Sequence, residues 1–207
     1  TPLYSSAASD VYKRQTLLKW FTGDPTRFGF PKPEYKMYES HPIVNSLILH
    51  HIGHGDVKVR ADIARMDGHT VHFKDGSQAD YDLIMAATGY KLHYPFIDDR
   101  LLNWQGMAPQ LYLNMFAPHY QRLAVLGMVE AAGLGWEGRA EQAEVMARFF
   151  KGLQEGTPQA ATFMQSCQGP SPDLSGGYQY LKLERMSCYV NKEVYRRTMR
   201  ETAATLG

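Results

Sequence analysis

The stretch Tyr81 to Tyr90, YDLIMAATGY, constrains the fold more than any other part of the chain, because an acid opens an apolar run and Thr88, Gly89 and Tyr90 close it. An apolar run of about four to eight residues with a polar start and a glycine stop fits a central strand of a parallel sheet, although Met85, Ala86 and Ala87 suit a helix equally well. Gly89 favours the strand. A glycine at a strand's carboxyl end lets backbone amides approach a ligand with no Cβ in the way, and open α/β sheets bind cofactors at that edge. The plainer alternative is a buried strand followed by an ordinary turn, which is common in α/β proteins.

The flanking chain supports a mixed fold. Leu17 to Phe21 reads as a helix end, followed by a loop rich in Gly and Pro from Gly23 to Pro33. Val44, Leu47, Ile48 and His51 fall at i, i+3, i+4 and i+7, predicting a short amphipathic helix stopped by Gly53 and Gly55. Val57 to Val59 alternates like a strand, and Asp67-Gly68 and Asp75-Gly76 bracket HTVHF as turn signals, so a small hairpin should lead into the strand at Asp82. After Tyr90, Pro95, Pro109 and Pro118 break an aromatic-rich segment into loop and short strands. Leu123 to Met128 reads as a second buried strand. Glu137 to Leu153 reads as an amphipathic helix with Ala143, Met146, Phe149, Phe150 and Leu153 on one side. Pro158 to Gly177 reads as an exposed loop and Tyr178 to Tyr189 as an apolar, aromatic patch. Asn191 is then the expected cap of a last helix that turns Val194 and Met199 inward.

Charge and composition remove several function classes. The 207 residues, 44% hydrophobic, are enough for one sizeable core or for one and a fraction domains. With 22 basic and 21 acidic side chains there is no electrostatic footprint for nucleic acid, and no Lys/Arg cluster suited to a membrane surface. Arg196, Arg197 and Arg200 read as a solvated helix face. No apolar run approaches the roughly 18 residues of a membrane span and no signal peptide is visible, so the expected setting is soluble and cytoplasmic. Cys167 and Cys188 have no C-x-x-C or metal spacing and read as ordinary thiols. In HHIGH, glycines 53 and 55 should end the helix that ligation by His50 and His54 would need, so no metal site is expected and the imidazoles suit a helix carboxyl end. His41, in HPIVN, reads as a residue that positions its loop, and no nucleophile elbow supports hydrolase chemistry.

GLGWEG, Gly133 to Gly138, matches G-x-G-x-x-G, yet Met128 to Ala132 separate it from the preceding apolar run, and Trp136 and Glu137 sit where a pyrophosphate would press. It reads as a helix start, not an independent dinucleotide site.

Asp82 to Tyr90 resembles the D-x-I-x-x-A-T-G-Y segment of the flavin-containing monooxygenase family, with its Baeyer–Villiger and N-hydroxylating relatives. Phe28 to Ile63 and His69 to Ser77 are similar to that family's run into the motif. Leu111 to Phe150 resembles its L-Y-x-N-x-F-x-P segment, apolar strand, glycine and following helix, here with Glu141, Gln142 and Ala143. The resemblance implies an α/β flavoprotein of two dinucleotide-binding, Rossmann-like domains, using FAD and NADPH. It implies a C4a-(hydro)peroxyflavin that oxygenates a nucleophilic N or S, or a ketone, of a small molecule with O2. It also implies that Thr88, Gly89, Tyr90, Glu130 and Gly133 line the flavin pocket, with the helix after Gly133 facing the polar end of the isoalloxazine. Glu130 stands where relatives often have glutamine. No catalytic side chain is implied, since the cofactor supplies the reactivity.

Neither of the family's glycine fingerprints for FAD and NADPH is found in its expected place, so the chain is expected to be a carboxyl half, inactive by itself. DVYKRQ, Asp10 to Gln15, is what GAT GTG TAT AAG AGA CAG encodes and resembles a transposon mosaic-end adaptor; residues 1–15 are therefore expected to be an artefact or a disordered leader. The expected division is then 16–80 as the tail of the NADPH domain with its hairpin, 81–155 as part of the FAD domain, and 156–207 as a loop and helical extension, with a helical carboxyl terminus. Two alternatives stay open: a flavoprotein reductase of the disulfide-reductase type, and a non-catalytic folded remnant or interaction module.

Overall fold

A computed structural model of the chain describes residues 24–35, 39–41, 45, 47–183 and 186–207. The expected leader, the helix end at 17–21 and Val44 lie outside the described residues. The chain divides into two compact units, one formed by 1–37 and 43–90, the other by 38–42 and 91–207.

In the first unit, helix α1 (Leu47–His54) contains Leu47, Ile48 and His51 of the predicted pattern but runs through Gly53 and ends only before Gly55, whose φ is +85°. A glycine inside a helix weakens it without stopping it, whereas a left-handed residue does stop it. The hairpin forms as predicted and extends to a third strand: β1 (Ile63–Asp67), β2 (Thr70–Phe73) and β3 (Gln78–Asp80) are an antiparallel meander. Asp67 pairs with Thr70 across a two-residue loop, and Gly68 holds the positive φ, +58°, that a II′-type loop requires at its first central position. Val71 and Phe73 of β2 are buried, while β1 is exposed along its length.

Two expected strands are absent. Val57–Val59 is irregular, and the run from Tyr81 to Tyr90 forms no ladder and lies exposed, with Leu83 at 77% and Met85 at 82%. Apolar composition makes a central strand only where neighbours supply backbone partners on both edges, and no strand among the described residues does so for 81–90.

The second unit holds the larger core. Its sheet is a two-stranded antiparallel ribbon, β4 (Trp104–Gln105) with β5 (Ala108–Pro109), matching the expected loop with short strands. Leu123–Met128 is not a strand; a single bridge joins Ala124 to Phe116. Helices dominate. Helix α2 (Gly135–Glu155) buries Gly138, Gln142, Val145, Phe149 and Gly152, a stripe at spacings of four and three, and stops at Gly156, φ +68°. Of the predicted stripe, Phe149 is buried and Met146, Phe150 and Leu153 pack against the same core, but the fully buried line runs to one side of them and Ala143 is exposed. The true stripe includes two glycines because neighbours come close there: a Cβ on Gly152 would lie 2.8 Å from Thr157 Oγ1 and 2.9 Å from the Ala160 Cβ.

Ala160 belongs to α3 (Pro158–Cys167), a helix where an exposed loop was expected. Thr157 caps it by accepting the Ala160 amide and Pro158 occupies its first turn, a start signal hidden among turn-forming residues. It delivers Phe163 to an edge-to-face trio with Phe116 and Phe149, the centroids 5.0 to 5.2 Å apart. Helix α4 (Lys192–Leu206) begins as predicted at Asn191, whose Oδ1 accepts the Glu193 and Val194 amides; Met199 is buried, Val194 is half-buried, and Tyr195 is the fully enclosed residue. Arg196 is no solvated side chain. Only 20% exposed, it grips the Glu141 carboxylate with Nε and Nη2 and meets Glu137 through Nη1 at 2.8 Å, tying α4 to α2. No helix among the described residues is long and apolar enough to cross a membrane.

At the centre, the Tyr195 hydroxyl donates to the Leu113 carbonyl at 3.0 Å and accepts from Gln142 Nε2 at 2.7 Å, while Gln142 Oε1 accepts the Gly127 amide at 3.0 Å. Tyr195→Phe removes one partner from two buried groups and is expected to cost about 1–3 kcal/mol. Arg197→Ala, at an exposed position, is expected to stay within about 0.5 kcal/mol. Urea unfolding of both variants measures the difference; equal losses would refute the central role of the hydroxyl.

Candidate functional site

The residues expected to line a site fall in two places, each described in its own unit. Thr88, Gly89 and Tyr90 follow the exposed apolar run of the first unit. The strand before them is missing, but the glycine turn is present: Gly89 has φ +89° and nothing within 4 Å of where a Cβ would stand. Its backbone is therefore open to close approach, and a side chain there would be strained.

Glu130 and Gly133 share the loop that enters α2 in the second unit. The Glu130 amide donates to the Cys188 carbonyl and the Val190 amide donates to the Glu130 carbonyl, both at 2.9 Å, forming a parallel bridge between Glu130 and Tyr189. Three residues on, Gly133 (φ +73°) and Gly135 (φ +61°) turn the chain into the helix. Leu134, at the N-cap of this 21-residue helix, is helical and makes no side-chain cap hydrogen bond; the one acid of the first turn is Glu137. Such an end carries partial positive charge from free amides and stabilises anionic groups. Trp136, 86% exposed, stands in the first turn with Arg139 over its ring at 5.9 Å. Lys192 Nζ lies 4.0 Å from the position of a Gly133 Cβ. GLGWEG is thus a loop and helix start, as its spacing indicated, with Gly138 packed under Leu134.

Sequence reading missed the side chains around Glu130. His41 Nδ1 is 3.1 Å from the Tyr189 hydroxyl and 3.8 Å from Glu130 Oε1, and Tyr180 packs edge-on against Tyr189 at 4.9 Å. Burial pushes the Tyr189 phenol above the usual range, and the Glu130 carboxylate adds to the effect. Burial does the same to Tyr180. The tyrosines recur at 178, 180 and 189, and that clustering was the visible signal.

Among the described residues no group of three or more His, Cys, Asp or Glu side chains could hold a metal. His50 and His54 do stack, with centroids 4.2 Å apart, because α1 continues to His54. The cysteines are free: Cys167 is buried, and that burial pushes its thiol up to about 12; burial also raises Cys188.

Comparison with known proteins gives these positions a context. A family described as flavin-binding monooxygenase-like matches residues 3–193. The chain is 31% identical over 139 residues to dimethylaniline monooxygenase [N-oxide-forming] 2 of Rattus norvegicus, covering 65% of this chain and 25% of that protein. It is 32% identical over 142 residues to the Cavia porcellus protein of the same name, covering 67% and 26%. It is 28% identical over 142 residues to flavin-containing monooxygenase 2 of Homo sapiens, again covering 67% and 26%. The chain spans about a quarter of the length of these curated relatives.

The thiol environments lead to a direct expectation. A thiol held near 12 is almost wholly protonated at pH 8, and the thiolate is the reacting form. Cys167 should resist a disulfide reagent in the folded chain and react fully in denaturant. Rapid native labelling of Cys167, located by mass spectrometry, would contradict the packing around α3.

Proposed function

Because the chain belongs to the flavin-binding monooxygenase-like family, we propose that it supplies flavin-facing residues of an NADPH- and FAD-dependent monooxygenase. The substrate class is a small molecule with a nucleophilic nitrogen or sulfur, or a ketone, oxygenated with O2. The family match over residues 3–193 is the observation that carries this reading.

Each unit, taken by itself, has one place suited to part of a flavin. Gly133 and Gly135, both at positive φ, keep Cβ atoms away from the uncapped start of α2, where helix amides suit the electron-rich end of an isoalloxazine. Gly89 leaves open backbone after Thr88, where amides and the Thr88 hydroxyl can bind a polar cofactor edge. Bound FAD supplies the redox chemistry, and the protein's share is binding, orientation and exclusion of water. Gly133 sets how closely the helix start approaches, Glu130 sets local charge, and Trp136 offers an apolar surface beside them. The pyrophosphate needs a glycine turn between a strand and a helix, and the only G-x-G-x-x-G in the 207 residues is the α2 start, where Trp136 and Glu137 occupy the approach.

The test is titration of the 207-residue chain with FAD, followed by flavin fluorescence and absorbance, then by addition of NADPH. Weak binding is expected, with no NADPH oxidation. Gly133→Val and Gly89→Val should each weaken binding by about tenfold or more, since a β-branched residue at positive φ is strained and fills the approach. Circular dichroism confirms that the variants fold. Absence of flavin binding at any concentration, or variants that bind as well as the parent, would refute these positions; tight yellow protein reducible by NADPH would show that these residues suffice for the reaction.

A further inference from the structure

Glu130 is the residue that suits a flavin site least, because an unbalanced carboxylate opposes the negative charge of a reduced flavin. Its neighbours in the second unit bear directly on that conflict. The parallel bridge sets Glu130 beside Tyr189. His41, 89 positions earlier in the chain, brings Nδ1 to 3.1 Å from the Tyr189 hydroxyl and 3.8 Å from Glu130 Oε1. Its ring meets that of Tyr189 edge-on, at 5.9 Å and 80°. The segment carrying His41 is held by a backbone bond of its own, Leu181 N–H to Glu39 O at 2.9 Å.

The hydrogen bonds give this group two proton arrangements. With a neutral imidazole whose Nδ1 is unprotonated, the Tyr189 hydroxyl donates to it. With a protonated imidazole, Nδ1–H is the donor, and it faces both the tyrosine oxygen and the Glu130 carboxylate. Among the described residues, the other titratable groups around them include Tyr180, edge-on to Tyr189, the Cys188 thiol, which the Glu130 charge reaches, and Glu39 on the histidine's own segment.

We propose that His41 is the charge partner of Glu130: held by the Tyr189 hydroxyl next to the carboxylate, it balances it as a cation, so that the loop before α2 presents a neutral pair instead of a net negative charge. The functional part rests on Glu130 lining the flavin pocket; the pair itself does not.

A double-mutant cycle separates the two. His41→Gln, Glu130→Gln and the double variant of the 207-residue chain are unfolded in urea without flavin at about pH 5.5 and at about pH 8.5, either side of the range in which histidines in general change charge. His41→Asn serves as a second probe with the same expectation. The single effects should be non-additive at the lower pH, by about 1.5- to 5-fold in the folding equilibrium, as befits a half-exposed pair. The coupling should vanish at the higher pH and shrink in 1 M salt. Tyr189→Phe should reduce it. Additive effects at both pH values overturn the pair. In FAD-loaded protein near pH 5.5, His41→Gln should shift the flavin equilibrium towards the oxidised form by a similar factor, and adding Glu130→Gln should restore it. A coupled pair with an unmoved flavin equilibrium overturns the functional part, and a chain that takes up no FAD sinks the flavin reading while the flavin-free cycle still decides the pair.

Discussion

The second unit depends on one buried hydroxyl. Tyr195 is completely enclosed, so its phenol must find both a donor and an acceptor inside the protein, and it finds them in Gln142 and the Leu113 carbonyl. This joins α4 and α2 to a turn far from both in the chain. Leu113 and Asn114 are left-handed non-glycine residues at φ +55° and +57°, a conformation that costs about 1–3 kcal/mol apiece unless its surroundings enforce it. The enforcement is visible: the Tyr195 hydroxyl on the Leu113 carbonyl, Ser171 Oγ on its amide, and Asn114 Nδ2 on the Cys188 carbonyl. Gln142 extends the chain of bonds to the amide of Gly127, itself left-handed at φ +88°. The loops that precede α2 are thus positioned by polar atoms inside an apolar core, which admits few alternative packings.

That arrangement explains which parts were legible in the sequence. The meander was readable because Asp67-Gly68 and Asp75-Gly76 carry turn chemistry that is local. The Asn191 cap was readable for the same reason. Helix α3 was missed because Thr157-Pro158, which caps and starts it, uses the same residue types as a loop, while its support comes from Phe116 and Phe149 elsewhere in the chain. The inward stripe of α2 was shifted because reading apolar residues overlooks Gln142, which is buried through its hydrogen bonds, and Gly138 and Gly152, which are buried through close contact. The strand expected at 82–90 failed for a different reason: composition indicates that a strand could be buried, not that a sheet is there to receive it.

The site was legible to a similar degree. Gly89 and Gly133 have the left-handed backbone that a glycine required for close approach should have. The neighbours of Glu130 were not legible, because His41 and Tyr189 are separated by 148 positions and meet only through tertiary packing. Arg196 shows the same limit. Its helix face looked solvated in one dimension, and only the neighbouring Glu137 and Glu141 make it a tie between helices.

The apolar run of the first unit has a consequence for handling the protein. Leu83 to Ala87 is an uncharged pentapeptide with no proline; it follows directly from β3, the last strand of a small meander, and contributes no buried side chain. A short, uncharged, hydrophobic segment beside an open strand edge is the sequence signature of intermolecular sheet formation. These five residues add nothing to the buried core, so a polar substitution among them bears on association between chains far more than on folding free energy.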